Sequence, residues 1–77
     1  MFSIRELSVL AYANGFTLWH YKRGDTLLAD SIRTNFFADA KDMMAEGDIV
    51  MITGNDAGAV RMIHFNESNQ IIALPMG

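Results

Sequence analysis

The stretch LSVLAYANGFTLWHYK, residues 7 to 22, is compatible with two different structures, and the expected architecture depends on which of them forms. Leu and Ala dominate its first half, and Ser3 with Glu6 has the form of a capping box. Both features favour a helix that ends at Asn14-Gly15. Asn-Gly between two apolar runs is also the strongest short signal for a β-hairpin, which would pair the two halves as strands. We favour the helix, and the hairpin remains the alternative.

The second half of this stretch, residues 16 to 22, predicts a strand that is apolar on both faces. Its side chains alternate between two sets, Phe16, Leu18 and His20 on one face and Thr17, Trp19 and Tyr21 on the other. A strand without a polar face is buried between layers or covered by a partner. A chain of 77 residues has little volume with which to cover both faces. The pattern therefore favours contact with another chain.

The remainder of the sequence predicts a second helix and three strands. An apolar stripe marks the helix over residues 35–46, where Thr34 or Asn35 is the cap and Gly47 follows the last turn. The stripe consists of Phe36, Phe37, Ala40, Met43 and Met44. The runs IVMIT, AVRMIHF and QIIAL are separated by turn-rich links, as in an antiparallel meander.

We therefore expect a single α+β domain over residues 1–77, in which the Phe and Met stripe packs on a small, mostly antiparallel sheet. The expected order is helix, strand, helix, strand, strand, strand. An N-terminal β-hairpin in place of the first helix is the alternative. No cysteine is present to staple so small a chain, and 51 % of its residues are hydrophobic. Dense packing or self-association must therefore supply its stability.

Charge and hydropathy exclude several classes of partner. Six basic residues are scattered among nine acidic ones, so there is no basic stripe and we expect no nucleic-acid partner. Arg5 and Glu6 interrupt the apolar start that a signal peptide needs, and no run approaches the roughly 18 apolar residues of a membrane span. We expect no membrane partner, and a soluble protein that is cytoplasmic or assembled into a virion.

The sequence carries no recognisable catalytic or metal-binding pattern. None of its serines stands in a nucleophile elbow, and GDIVMITGNDAG lacks the lysine and the order of a phosphate-binding loop. His20 and His64 are 44 residues apart, which is not the spacing of a metal-binding pair in one helix or strand. We expect no enzymatic activity, no bound metal and no cofactor.

The best candidates for a contact surface lie in the same two-sided strand. Trp19 and Tyr21 share a face, and their residue types dominate protein interfaces. Thr17 shares that face, and His20 between the two aromatic residues is a possible ligand or pH switch. The competing interpretation places the aromatic pair in a second small core against the N-terminal segment, with the His20 ring bonded to backbone.

Residues 7–65 resemble a group of small proteins of phages, prophages and some proteobacterial genomes, several of which are encoded near virion structural components or described as such. Two segments carry the resemblance, GFTLWHY at 15–21 and MMAEGDI from Met43 to Ile49. The resemblance implies a structural or interaction module and transfers no catalytic residue.

We therefore expect a non-enzymatic, self-associating module that serves as a prophage or virion accessory protein. Its expected partner is a second copy of itself or another protein. The alternative is a small binding module for a peptide or a host protein, which would use an exposed aromatic face formed by Trp19 and Tyr21.

Overall fold

The computed structural model describes residues 2–75, in which five strands form one mixed sheet. The strands are β1 (Leu7–Ala13), β2 (Phe16–Lys22), β3 (Ile49–Thr53), β4 (Gly58–Phe65) and β5 (Ile71–Pro75). They lie side by side in chain order, with β2 and β3 parallel and every other pair antiparallel. One α-helix, α1 (Leu28–Ser31), occurs in the described residues, together with short 3₁₀ turns at Ile4–Glu6 and Ala38–Ala40.

The predicted N-terminal helix is wrong, and the hairpin alternative is present. β1 pairs with β2 through the Asn14-Gly15 turn, in which Gly15 has a φ of 107° that side-chain-bearing residues rarely adopt. Helix propensities differ by only a few tenths of a kcal/mol between most residues, so the tertiary context of the sheet overrides them. A β-bulge between Val9 and Ala11 shifts the register of the pair.

The predicted helix over residues 35–46 is also wrong, and with it the expected α+β class. Asn35 has a φ of 66°, which a helix does not accommodate. Beyond it, backbone bonds mostly join residues three apart, as where the Ala40 N–H donates to the Phe37 carbonyl at 2.9 Å. The segment is therefore a series of tight turns, and the described protein is nearly all β.

The three C-terminal strands form the antiparallel meander that the sequence predicts. The connection from β2 to β3, residues 23–48, crosses one face of the sheet and will be called the crossover; the face that it covers is the inner face. Most of the apolar stripe predicted in residues 35–46 still packs on the sheet, because Phe37, Ala40 and Met44 are buried. Met43 is the exception and is 51 % exposed.

The core lies between the inner face and the crossover. Its buried apolar residues are Trp19, Tyr21, Phe37, Ala40, Met44, Val50, Ile52, Ile63, Ile71 and Ala73. Four aromatic rings meet at its centre, with centroids 5.1 to 5.6 Å apart, and belong to Phe2, Tyr21, Phe36 and Phe37. Most of these ring pairs meet edge to face, the arrangement that aromatic quadrupoles favour. Most of the chain's aromatic side chains therefore pack on the inner face.

Candidate interaction surface

The opposite face of the sheet, the outer face, lies away from the crossover. Directly paired residues of neighbouring strands share a face, so the register assigns the outer-face positions. These are Ser8, Ala11, Phe16, Leu18, His20, Lys22, Ile49, Met51, Thr53, Val60, Met62, His64, Ile72 and Leu74. None of them belongs to the hydrophobic core or is among the partly buried residues packed against it.

An apolar row crosses the middle of the outer face. Leu18 lies beside Ile49, Ile49 beside Met62, and Met62 beside Leu74. All four side chains are half-buried. Neighbouring side chains of the sheet shield them in part. The row is therefore a continuous apolar strip across four strands.

Three further large apolar side chains of this face are more open to solvent. Phe16 and Met51 are each 40 % exposed and Val60 is 46 % exposed. Met51 and Val60 are direct partners on β3 and β4, one step along the strands from the apolar row. Contiguous exposed apolar area of this kind marks interaction surfaces on small proteins.

Charge distinguishes the outer face from the rest of the chain. The sequence has nine Asp and Glu residues, yet none occupies a strand position on this face. Lys22 supplies the one permanent charge at those positions, and His20 and His64 add two titratable rings. A second apolar surface could approach the centre of this face without burying a carboxylate, a group that is costly to desolvate unpaired.

Trp19 and Tyr21 do not belong to this surface, and the expectation of an exposed aromatic face is wrong. Both lie on the inner face, where Trp19 is 5 % and Tyr21 0 % exposed. The Tyr21 ring stacks on Phe2, and its hydroxyl accepts a hydrogen bond from the Ser3 N–H at 2.9 Å. The crossover and the N-terminal residues therefore cover the face that was expected to be open.

Thr17 and His20, the other two residues proposed for the contact surface, lie on opposite faces of the sheet. Thr17 is half-buried on the inner face, and its N–H donates to Asp48 Oδ1 at 3.0 Å. His20 is half-buried on the outer face, with Nε2 3.3 Å from the Thr53 hydroxyl. Of the four residues singled out in this strand, His20 alone lies on the uncovered side.

Asp48, which sequence reasoning did not single out, is the most connected side chain of the inner face. It is 3 % exposed and accepts three hydrogen bonds of 3.0 Å. The donors are the N–H groups of Thr17 and Ala45 and the indole Nε1 of Trp19. These bonds fasten the end of the crossover to β2, so the role of Asp48 is structural. One signal was available, since Asp48 falls within the segment from Met43 to Ile49 noted above.

An acid–histidine pair stands at the margin of the outer face. Glu46 Oε2 lies 2.7 Å from His64 Nδ1, and Glu46 Oε1 accepts a bond from the Phe65 N–H at 2.9 Å. The bond from the Phe65 backbone, and next the bond with His64, lower the pKa of Glu46 below its ordinary value. Both side chains are exposed, so the pair contributes modestly to stability.

His20 bonds to Thr53 on β3 and His64 to Glu46 of the crossover, and the structure does not bring the two histidines together. Within residues 2–75, no three side chains of the metal-ligating types lie close enough to hold an ion. The same residues enclose no pocket. None of the helices in this range is long and apolar enough to cross a membrane. The outer face is an extended surface feature on which a function can be argued.

Comparison with known proteins finds no matching family model, no matching curated protein and no matching solved structure.

Proposed function

We propose that this chain is a non-enzymatic structural module that associates with a second copy of itself through the outer face of its sheet. The observation that carries the proposal is the apolar row from Leu18 to Leu74, together with the more exposed Met51 and Val60 beside it. Covering such a face is favourable because apolar surface leaves water at about 25 cal/mol per Å².

The size of the outer face supports a second copy as the occupant. Five strands spaced about 4.8 Å apart, each about 20 Å long, present roughly 500 Å² per copy. Two copies packed face to face would remove on the order of 1,000 Å² from water, which is near the lower limit for a specific interface. We therefore expect reversible association that depends on concentration.

The chemistry of the outer face also supports packing against itself. Its centre is uncharged, so a two-fold arrangement opposes no pair of carboxylates across the contact. The result would be a β-sandwich in which two sheets lie about 10 Å apart, the usual distance for side chains that interdigitate. Each inner face would remain covered by its own crossover.

A prophage or virion accessory role is the setting that we propose for this module. It is supported by the resemblance carried by residues 15–21 and 43–49. The scattered basic residues support a protein partner rather than a nucleic acid.

The proposal is tested by measuring mass against concentration. Sedimentation of the wild-type chain over the micromolar range should show a mass that rises above the 8.6 kDa protomer. Val60→Lys places a charge in the contact and should shift the population toward the protomer. Met43→Lys is the matched control, because Met43 is 51 % exposed but lies on the crossover.

A wild-type protein that stays at 8.6 kDa at every concentration would contradict self-association. In that case an outer face that bound a peptide or a host protein would be the remaining interpretation. Equal masses for wild type and Val60→Lys would show that copies meet elsewhere. A Met43→Lys variant that associates more weakly than the wild type would count against the assignment of the contact to the outer face.

A further inference from the structure

The two edges of the sheet are unequally protected against pairing with another strand. At the β5 edge, the Ile71 carbonyl accepts a bond from the Asn35 N–H at 2.7 Å, and the Ile71 N–H donates to Asn35 Oδ1 at 3.3 Å. Ile71, Ala73 and Pro75 share the outward backbone orientation, because alternate residues of an edge strand point the same way. Pro75 has no N–H. Two of the three outward positions of β5 are thus closed to a further strand.

The β1 edge lacks most of these protections. β1 is seven residues long and contains no charged residue and no proline. Natural edge strands are usually shortened, charged, bulged, interrupted by proline or covered. Three of its side chains are the most exposed large hydrophobic ones in the described residues, at 55 % for Val9, 52 % for Leu10 and 86 % for Tyr12. The bulge between Val9 and Ala11 is the single irregularity of this edge.

We propose that β1 is a second interaction surface, which pairs antiparallel with β1 of another copy and joins two sheets edge to edge. The proposal is independent of the outer-face contact, since it uses backbone groups at the rim and not the apolar row. The absence of charge in β1 means that two copies can approach edge to edge without like charges meeting.

The bulge makes β1 complementary to itself. The register with β2 places Leu7 and Tyr12 on the inner side and Ser8 and Ala11 on the outer side. Consider an antiparallel pair in which Leu7 lies opposite Tyr12 of the second copy. Ser8 then lies opposite Ala11 of the second copy, and each side chain meets one on the same face. In an unbulged strand, residues 7 and 12 would lie on opposite faces. This match favours a second copy over an unrelated strand.

Two different two-fold contacts on one chain build assemblies of more than two copies. The outer face and the β1 edge do not overlap in their central residues, so both contacts can form at once. We therefore expect the wild-type chain to exceed a dimer at high concentration. A chain with one contact blocked should stop at two copies.

Four variants separate the two contacts by sedimentation at concentrations up to the millimolar range. Leu10→Lys blocks the edge at a position that is already 52 % exposed, so it should leave the fold intact. Val60→Lys blocks the outer face, the double variant blocks both, and Met43→Lys is the control. Circular dichroism verifies that each variant is folded. We expect dimers for each single variant, the 8.6 kDa protomer for the double variant and wild-type assembly for the control.

The outcomes distinguish the edge contact from the proposed function. A folded Leu10→Lys variant that assembles like the wild type, or a Val60→Lys variant that is monomeric, overturns the edge contact. If Val60→Lys has no effect while Leu10→Lys reduces assembly, the outer-face function fails and the edge contact stands.

Cross-linking tests the register directly, because the chain contains no cysteine of its own. A mixture of Ser8→Cys and Ala11→Cys chains should form a mixed disulfide under mild oxidation, since directly opposed strand residues are within bonding range. We expect this disulfide to form roughly a hundredfold faster than the one between Ser8→Cys and Met43→Cys chains. The reason is that pairing raises the effective thiol concentration from micromolar toward millimolar. Equal rates for the two mixtures would overturn the edge contact.

Discussion

The inner and outer faces of this sheet differ less in their side chains than in what covers them. On β3, Ile52 faces inward and is 1 % exposed, while the adjacent Met51 faces outward and is 40 % exposed. The crossover of 26 residues, from 23 to 48, supplies one covering layer. A chain of this length therefore forms a two-layer protein from a sheet that is apolar on both sides.

The sharpest test of this difference uses those two neighbours. Ile52→Ala should lower the free energy of unfolding by about 2 to 5 kcal/mol, because it leaves a cavity in packed surroundings. Met51→Ala should change it by no more than about 0.5 kcal/mol, as is usual for exposed positions. Urea unfolding at concentrations below the onset of association measures both. Similar losses for the two variants would mean that the faces are not distinct.

A second test concerns how the covering layer is fastened. Asp48→Ala leaves three N–H donors without an acceptor, each of them 3.0 Å from the carboxylate now. We expect a loss of about 3 kcal/mol in the free energy of unfolding, since an unpaired buried donor costs about 1 to 3 kcal/mol. The fluorescence of Trp19 should also become easier to quench, because its indole N–H loses its partner.

Asp48→Asn is the matched control for that test, because its shape is nearly the same. The amide retains one acceptor oxygen but turns an N–H₂ group toward the remaining donors. Its stability should therefore lie between those of the wild type and Asp48→Ala. If Asp48→Ala unfolds at the wild-type urea concentration, the three bonds do not hold the crossover.

The smallest effect is expected at the margin of the outer face. The pKa of Glu46 is lowered in the folded chain, so its ionised form adds stability that is fully present above the ordinary value of 4.5. That contribution disappears as the pH falls through the lower folded-state pKa. Glu46→Gln should therefore reduce stability slightly at pH 7 and flatten its decline below pH 4.5. Identical urea midpoints for both proteins at pH 7 and pH 3 would contradict this.

The sequence predicted four of the five strands, and for β2 it also predicted which side chains share a face. Periodicity was sufficient there, because β-branched and aromatic residues alternate with clear turn signals. β1 appeared only as the alternative, since its Leu and Ala residues favour a helix locally and its pairing depends on β2. The helix over 35–46 failed because Asn35 is held at a φ of 66° by bonds to Ile71, a contact 36 residues away.

The candidate site was half predictable for a related reason. Alternation within β2 correctly separated Trp19 and Tyr21 from Leu18 and His20. What alternation cannot say is which of the two sets the crossover covers, because that depends on the path of a distant segment. The same limit applies to Asp48, which looks like any acidic residue before a strand until Thr17, Trp19 and Ala45 are seen to converge on it.

The central claim is that the outer face receives its cover from a second copy, and four methionine methyl groups test it most directly. Met51 and Met62 lie on the outer face, Met44 of the crossover is buried against the inner face, and Met43 of the crossover is exposed. In a dilution series followed by methyl NMR, the account predicts that Met51 and Met62 shift with concentration while Met43 and Met44 stay fixed. Outer-face methyl signals that do not move across the micromolar to millimolar range would contradict it.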